Sequence, residues 1–330
     1  VRTGLTADQM EAVENRISDI GLNSNFTPTQ IADGFLQLLS SGSSVEEAME
    51  QIDAVWQGAA ASGTDLGFAA DALTDVMAAF QVEAAQSDEV MQSLFNATTA
   101  SSATFGDLVQ GFGNVGPSAN TFGLTIEETA AILATFSENG IKGAEAGTQL
   151  RSMLQNMSRD TDAVRGAWSE IGVSMFEADG TMRNLNDVIA EMNVAMADMS
   201  DEDRNRIIQQ IAGSYGRMGL EALMAADGFA DMQAAMAEGT NVSDVAAAQM
   251  DTLAGVVNFL RSSLDILAVE ALGPFAQDFI KPLIVDIAAL VNQVTTWANA
   301  NPELTGTIVR ILAGAVVLGP AMMAAGNAIR

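Results

Sequence analysis

The chain has 330 residues, no cysteine and no histidine, and a formal net charge of −28 from 42 acidic against 14 basic residues. Without those two residue types a disulfide framework, a Ser-His-Asp triad, a Cys-His dyad and a typical zinc site cannot be built from this stretch, and only carboxylate chemistry survives. Lys142 and Lys281 are the only lysines, so specific binding to nucleic-acid backbone or to an anionic membrane surface is not expected.

A mean hydropathy of +0.21, 18 methionines and a single tyrosine describe a helical chain with more apolar surface than a solvated monomer needs. Self-association or burial in a larger assembly is the expectation. The opening "VRTGLTADQMEAVENRISDI" has neither the basic region nor the apolar run of a secretory signal. With no initiator Met, and with Arg330 lying inside an apolar pattern, the sequence reads as a stretch of a longer chain.

Helical punctuation dominates from the start. In "NFTPTQIADGFLQLL" Thr27 is a cap and Pro28 the first helical residue, with Ile31, Phe35, Leu38 and Leu39 on one face. "SSVEEAMEQIDAVW" opens with a capping box, Ser44 with Glu47, and "LTIEETAAILATF" repeats it with Thr125 and Glu128. These signals belong to an internal repeat. Ile31, Gly34 and Phe35 match Leu108, Gly111 and Phe112; Val45-Glu46-Glu47 matches Ile126-Glu127-Glu128; Gly63, Ala69 and Leu73 match Gly140, Ala146 and Leu150. Residues 17–81 and 94–158 read as two copies of one helical unit, forming a core over 1–158. The second copy is expected to carry a longer loop, "GPSANTFG", and a following helix about one turn shorter.

Residues 159–242 read as a connector holding Arg159, Arg165 and Trp168, then short helices near 184–199, 201–212, 214–226 and 228–238. Within "VSMFEADGTMRNL", Asp179-Gly180 could turn one short β-hairpin near 173–185. Over 243–303 a stripe at spacings of three and four, from Leu253 to Val294, predicts long amphipathic helices broken at Gly273-Pro274. The last segment, 304–330, contains 19 uncharged residues, 311–329. Their length could span a bilayer, and a buried helix contact explains the same composition. The fold class is therefore all-α, an elongated multi-helix assembly.

The stretch "NGIKGAEAGTQLRSMLQ" (139–155) raises the question of a phosphate loop. The phosphate-binding template needs a Gly-Lys-Ser/Thr ending fed by a strand. Here Thr148 follows Gly147, Glu145 would sit beside the phosphates, and a helix precedes the turn. The first copy carries Ala70 and Asp71 where the second has Gly147 and Thr148, so smallness is kept while phosphate chemistry is lost. Gly140, Gly143, Gly147, Thr148, Leu150 and Arg151 therefore form a structural motif, with Gly140 ending one helix and the Ala146-Gly147 surface admitting a close neighbour. Acid pairs such as Glu46/Glu47, Asp88/Glu89 and Asp201/Asp203 sit where helix first turns attract acids, and "EADGTMRNLNDV" lacks the alternating ligands of a calcium loop. No catalytic, cofactor or metal residue is assigned.

The run "GPSANTFGLTIEETAAILATFSENGIKGAEAGTQLRSML" (116–154), with "EIGVSMFEADGTMRNLNDVIAEM" (170–192) and "IAGSYGRMGLEAL" (211–223), resembles the core of phage tail tape measure proteins over most of 30–240. It departs at "IAGSYG", where the family more often has an apolar-Phe-Gly triplet. The resemblance implies a non-enzymatic virion protein that lines the tail tube lumen as a homo-oligomer, commonly a trimer. Such a protein acts as a scaffold for tube assembly, sets tail length and leaves ahead of DNA at genome ejection. Implied partners are the tail tube protein, tail tip and distal tail proteins, tail assembly chaperones and the host membrane. Implied locations are the virion, the host cytoplasm during assembly and the host envelope on infection. The alternative is a membrane-inserting translocator or pore-forming helical protein. A carboxylate-based wall hydrolase is a third reading, without a supporting cleft signature.

Overall fold

The computed structural model describes residues 6–225 and 228–250, all within a compact unit of Val1–Val256. The expectations for the remainder of 243–303 and for 304–330, including segment 311–329, fall outside the described residues.

Among the described residues the chain forms thirteen α-helices, one short 3-10 turn and no sheet. They are α1 (Ala7–Asn23), α2 (Pro28–Ser40), α3 (Val45–Ser62), α4 (Leu66–Phe80), α5 (Ser87–Ala100), α6 (Phe105–Thr121) and α7 (Ile126–Glu138). There follow α8 (Gly143–Met157), α9 (Asp162–Ile171), α10 (Leu185–Ala195), α11 (Asp201–Leu223), α12 (Phe229–Ala237) and α13 (Val242–Met250). Most starts are fixed by short polar side chains that satisfy orphan backbone donors, α5, α8 and α12 being the exceptions. Thr6, Thr27, Ser44, Thr104 and Thr125 each form a reciprocal capping box with the residue three positions on. Several stops use left-handed residues. Gly140 (φ +80°) ends α7 with Gly140 N donating to Ser137 O (3.0 Å) and Ile141 N to Phe136 O (2.9 Å), and Gly123 ends α6 in the same way.

The helices pack as two layers. In one, α2 lies on α4, α4 on α6, α6 on α8 and α8 on α11; in the other, α13 lies on α3, α3 on α5, α5 on α7 and α7 on α12. Neighbours within a layer are thus mostly two helices apart in sequence, the habit of stacked helical units. The core runs continuously between the layers, through Ile31, Leu38, Leu73, Leu94, Phe112, Leu133, Phe136 and Leu150. Helix α7 is buried on all sides: every residue from Thr129 to Ser137 is buried. Its three hydroxyls bond back to their own helix, Thr129 to Thr125 O (2.8 Å), Thr135 to Ala131 O (2.8 Å) and Ser137 to Leu133 O (3.0 Å).

Three local expectations change. "GPSANTFG" is not a longer loop, because α6 runs on through it to Thr121 with Pro117 inside; the extra residues lengthen the helix. The stretch after 158 contains a full helix, α9, capped by Thr161 and ended by Gly172, with Val164, Ala167, Trp168 and Ile171 buried at helical spacing. At 173–185 the backbone turns at Asp179-Gly180, but only one antiparallel bridge forms, Phe176 to Met182. Glu177 N donates to Thr181 O (2.8 Å) and Arg183 N to Met175 O (3.0 Å) across it, and the Arg183 side chain adds bonds to Ser174 O (3.0 Å) and to both Glu191 oxygens (2.8 and 2.5 Å).

Asp71 and Asp75 stand one turn apart on α4. Partial burial, and then the Asp71 charge, push the Asp75 carboxyl above its usual range. A carboxyl raised in the folded state favours folding while protonated, and that contribution is lost as pH rises through its folded value. Asp75→Asn should therefore stabilise the protein near neutral pH by about 0.2–0.5 kcal/mol, the size of a like-charge helical pair. In urea denaturation the gain should vanish at about pH 3, where the carboxyl is protonated in both states.

Candidate functional site

The structural motif sits where α7 turns into α8 and α8 crosses α6. Gly140 supplies the left-handed step that ends α7, and Gly143 (φ +56°) opens α8. At the crossing, a Cβ on Gly147 would overlap the Gly111 carbonyl oxygen and stand 2.9 Å from Asn114 Cβ. No side chain larger than hydrogen fits between the two backbones there. Leu150 is fully buried one turn on, and Thr148 Oγ1 bonds back to Ala144 O (2.8 Å). Arg151 Nη1 donates to Asn114 O (3.2 Å), while Asn114 Nδ2 donates to Gln110 O (3.1 Å) and Ala144 O (3.3 Å). Side chains from each helix thus satisfy carbonyls of the other.

The groups around the start of α8 do not suit a phosphate. The first turn of α8 faces Gln110 and Asp107: a Cβ on Gly143 would lie 3.1 Å from Gln110 Oε1 and 3.4 Å from Asp107 Oδ1. Burial pushes the Asp107 carboxyl up, but two Thr104 hydrogen bonds and the Lys142 charge outweigh it and hold it below the usual range. An anion would meet a carboxylate that stays ionised. Lys142 Nζ is spent on Ser102 O (2.7 Å). Among the described residues no group of three or more His, Cys, Asp or Glu is placed to hold a metal.

The opposite face of α8 is gripped just as closely, a feature the sequence reading missed. Helix α11 breaks its helical geometry at Gly213 (φ +72°, ψ 171°), between the two short helices expected there. A Cβ on Gly216 would lie 2.6 Å from Met153 Cα, and one on Gly219 would lie 2.5 Å from Phe136 Cζ. The signal was present as glycines three apart in "GSYGRMG" (213–219). Tyr215 and Met218, on the outward face, are 63% and 56% exposed.

Two close helix crossings, capped ends and hydroxyls satisfied within their own helices define a structural, all-helical module. Comparison with known proteins identifies its kind. A family model described as phage-related minor tail protein matches residues 14–213. The chain is 30% identical over 330 residues to the tape measure protein of Pneumococcus phage Dp-1, covering 98% of this chain and 28% of that protein. It is 21% identical over 319 residues to the probable tape measure protein of Escherichia phage P2, covering 94% of this chain and 39% of that protein. No solved structure matches. The chain belongs to the phage-related minor tail protein family, that of phage tail tape measure proteins. It spans less than half the length of these two relatives.

The crossing makes opposite predictions for two glycines of one helix pair. Gly147→Ala should cost about 2 kcal/mol or more, because the methyl meets backbone that cannot rotate away. Gly113→Ala on α6 faces open space, and should instead stabilise by about 0.5–1 kcal/mol through helix propensity. Denaturant midpoints of both variants, measured side by side, check the pair.

Proposed function

We propose that this chain is the helical core of a tape measure protein that acts as a scaffold for tail tube assembly. In this reading it occupies the tube lumen as a homo-oligomer, a trimer, and contacts the tube protein, the tail tip and distal tail proteins and the assembly chaperones. The length of the whole protein sets tail length, and the protein leaves during genome ejection. The observation that carries the reading is similarity to a tape measure protein along 98% of the chain. A structural part fits a motif spent wholly on helix contact. The acid excess fits a partner that should not grip DNA sharing its channel.

Within this role we read α1–α4 and α5–α8 as two copies of one packing unit. Helices α2 and α6 begin at Pro28 and Phe105, 77 residues apart; α4 and α8 begin at Leu66 and Gly143, again 77 apart. Helices α1 and α5 end at Asn23 and Ala100, and the next residue, Ser24 or Ser101, accepts a bond from the backbone two positions on (3.2 and 3.1 Å). The starts at 17 and 94 fall inside α1 and α5, so the packing unit takes in the whole of each helix.

Passage of DNA through the host envelope, with 311–329 meeting lipid, belongs to the same proposal. No helix among the described residues is long and apolar enough to cross a membrane. In-frame deletions of different size in the complete gene should shorten tails in proportion, measured on negatively stained virions. Tails of unchanged length across the series would remove the tape measure role.

A further inference from the structure

Two open cavities of nearly equal size, about 590 and about 570 Å³, lie at matching places in successive helical units. The first is bounded by the end of α4, by α5 and by the α6–α7 turn; the second by the end of α8, by α9 and by the segment 173–176. Phe80, Val82, Gln92 and Asn96 line the first, and the residues 77 positions on, Met157, Arg159, Ser169 and Val173, line the second.

Their chemistry has diverged. The first is rimmed by Glu89 and Glu127 with no base. The second is lined by Arg159 and Arg165 against one acid, Asp160. Arg165 is already committed, bridging Asp160 and Asp162. The Arg159 guanidinium has no carboxylate partner among the described residues, and its backbone makes only a helix-end bond to Asn156 O. Beneath it Met157, Trp168 and Met175 form an apolar floor, with Phe176, 38% exposed, at the rim. The Trp168 indole N–H is satisfied by Met157 O (3.1 Å), so the groove asks for apolar contact rather than for a hydrogen bond to tryptophan.

We propose that the second cavity docks an acidic, apolar peptide segment of a partner protein. An aliphatic or aromatic side chain of the segment enters the Met-Trp floor, and a neighbouring carboxylate pairs with Arg159. Methionine and aromatic walls adapt to such side chains, and Trp and Arg are both enriched among interface anchors. Charge complementarity selects the occupant. A chain of net charge −28 repels an acidic partner over most of its surface, and this groove offers a guanidinium unpaired among the described residues beside buried apolar area. The first cavity, with its two acids, rejects the same segment and serves as an internal control. The proposal does not depend on the tape measure role; only the matching of the two cavities uses the repeat.

The test titrates acetyl-Asp-Leu-Phe-Glu-amide and acetyl-Lys-Leu-Phe-Lys-amide into the 330-residue chain carrying Trp56→Phe and Trp297→Phe, so that Trp168 alone emits. Calorimetry on the unsubstituted chain runs in parallel. The acidic peptide should change Trp168 emission saturably and bind more weakly as salt rises. Arg159→Glu, at an exposed position, should lower its affinity by roughly tenfold or more with helical circular dichroism unchanged. Glu127→Gln should leave it as it was. No saturable binding, an equal response to the lysine peptide, or an Arg159→Glu variant that binds as the parent does would overturn the proposal.

Discussion

The contact on which the rest of this structure depends is the meeting of two backbones, α6 and α8, at Gly111 and Gly147. Packed helices usually stand 8–10 Å apart with side chains between them. Here the Gly111 carbonyl occupies the space a Gly147 side chain would need. That approach brings α8 close enough for Asn114 and Arg151 to bond across the crossing. On its far side α8 meets α11 with equal intimacy through Gly216 and Met153. In the first of the two proposed units the corresponding place is built differently. A Cβ on Gly34 would lie 3.0 Å from Leu66 Cβ, and Leu66 stands 77 positions before Gly143. There a side chain meets backbone, and Ala70 is accommodated where Gly147 later becomes obligatory.

Such packing leaves little room for charge to hold the fold together. The buried polar groups of α7 are hydroxyls that bond within their own helix, and helix starts are satisfied by Ser, Thr and Asp. Ion pairs such as Arg206 with Glu170 (2.6 Å) and Arg217 with Glu221 (2.7 Å) are solvent-accessible, where pairs contribute little to stability. Shape and capping, rather than electrostatic attraction, specify which helix meets which.

What could be read from the sequence follows from that division. Caps are local chemistry, so Thr27, Ser44 and Thr125 mark helix starts in the sequence and in the structure alike. The left-handed end at Gly140 is legible for the same reason. Tertiary contact is not. Gly-Pro-Ser-Ala-Asn has the composition of a loop, yet α6 continues through it because Gly116 packs against Ala79 of α4 and Asn120 Nδ2 reaches Ala79 O (3.2 Å). The glycines of 213–219 look permissive in isolation, and only the presence of Met153 and Phe136 opposite shows why bulk is excluded there. At Asp179-Gly180 the turn itself was legible; the pairing stops at one bridge and two backbone bonds, and the Arg183 side chain ties the flanks further through Ser174 and Glu191.

Because the fold is specified by shape, the acid excess is largely free of structural duty and remains available as a surface property. A chain held together by ion pairs would need bases to match its acids. This one carries 42 acids against 14 bases and still builds a continuous core between two helical layers. Its surface can therefore be strongly acidic without weakening the crossings that order it. For the proposed role that separation matters. A scaffold sharing a channel with nucleic acid must hold its own fold while resisting a polyanion, and small-residue helix contacts supply the first property without compromising the second.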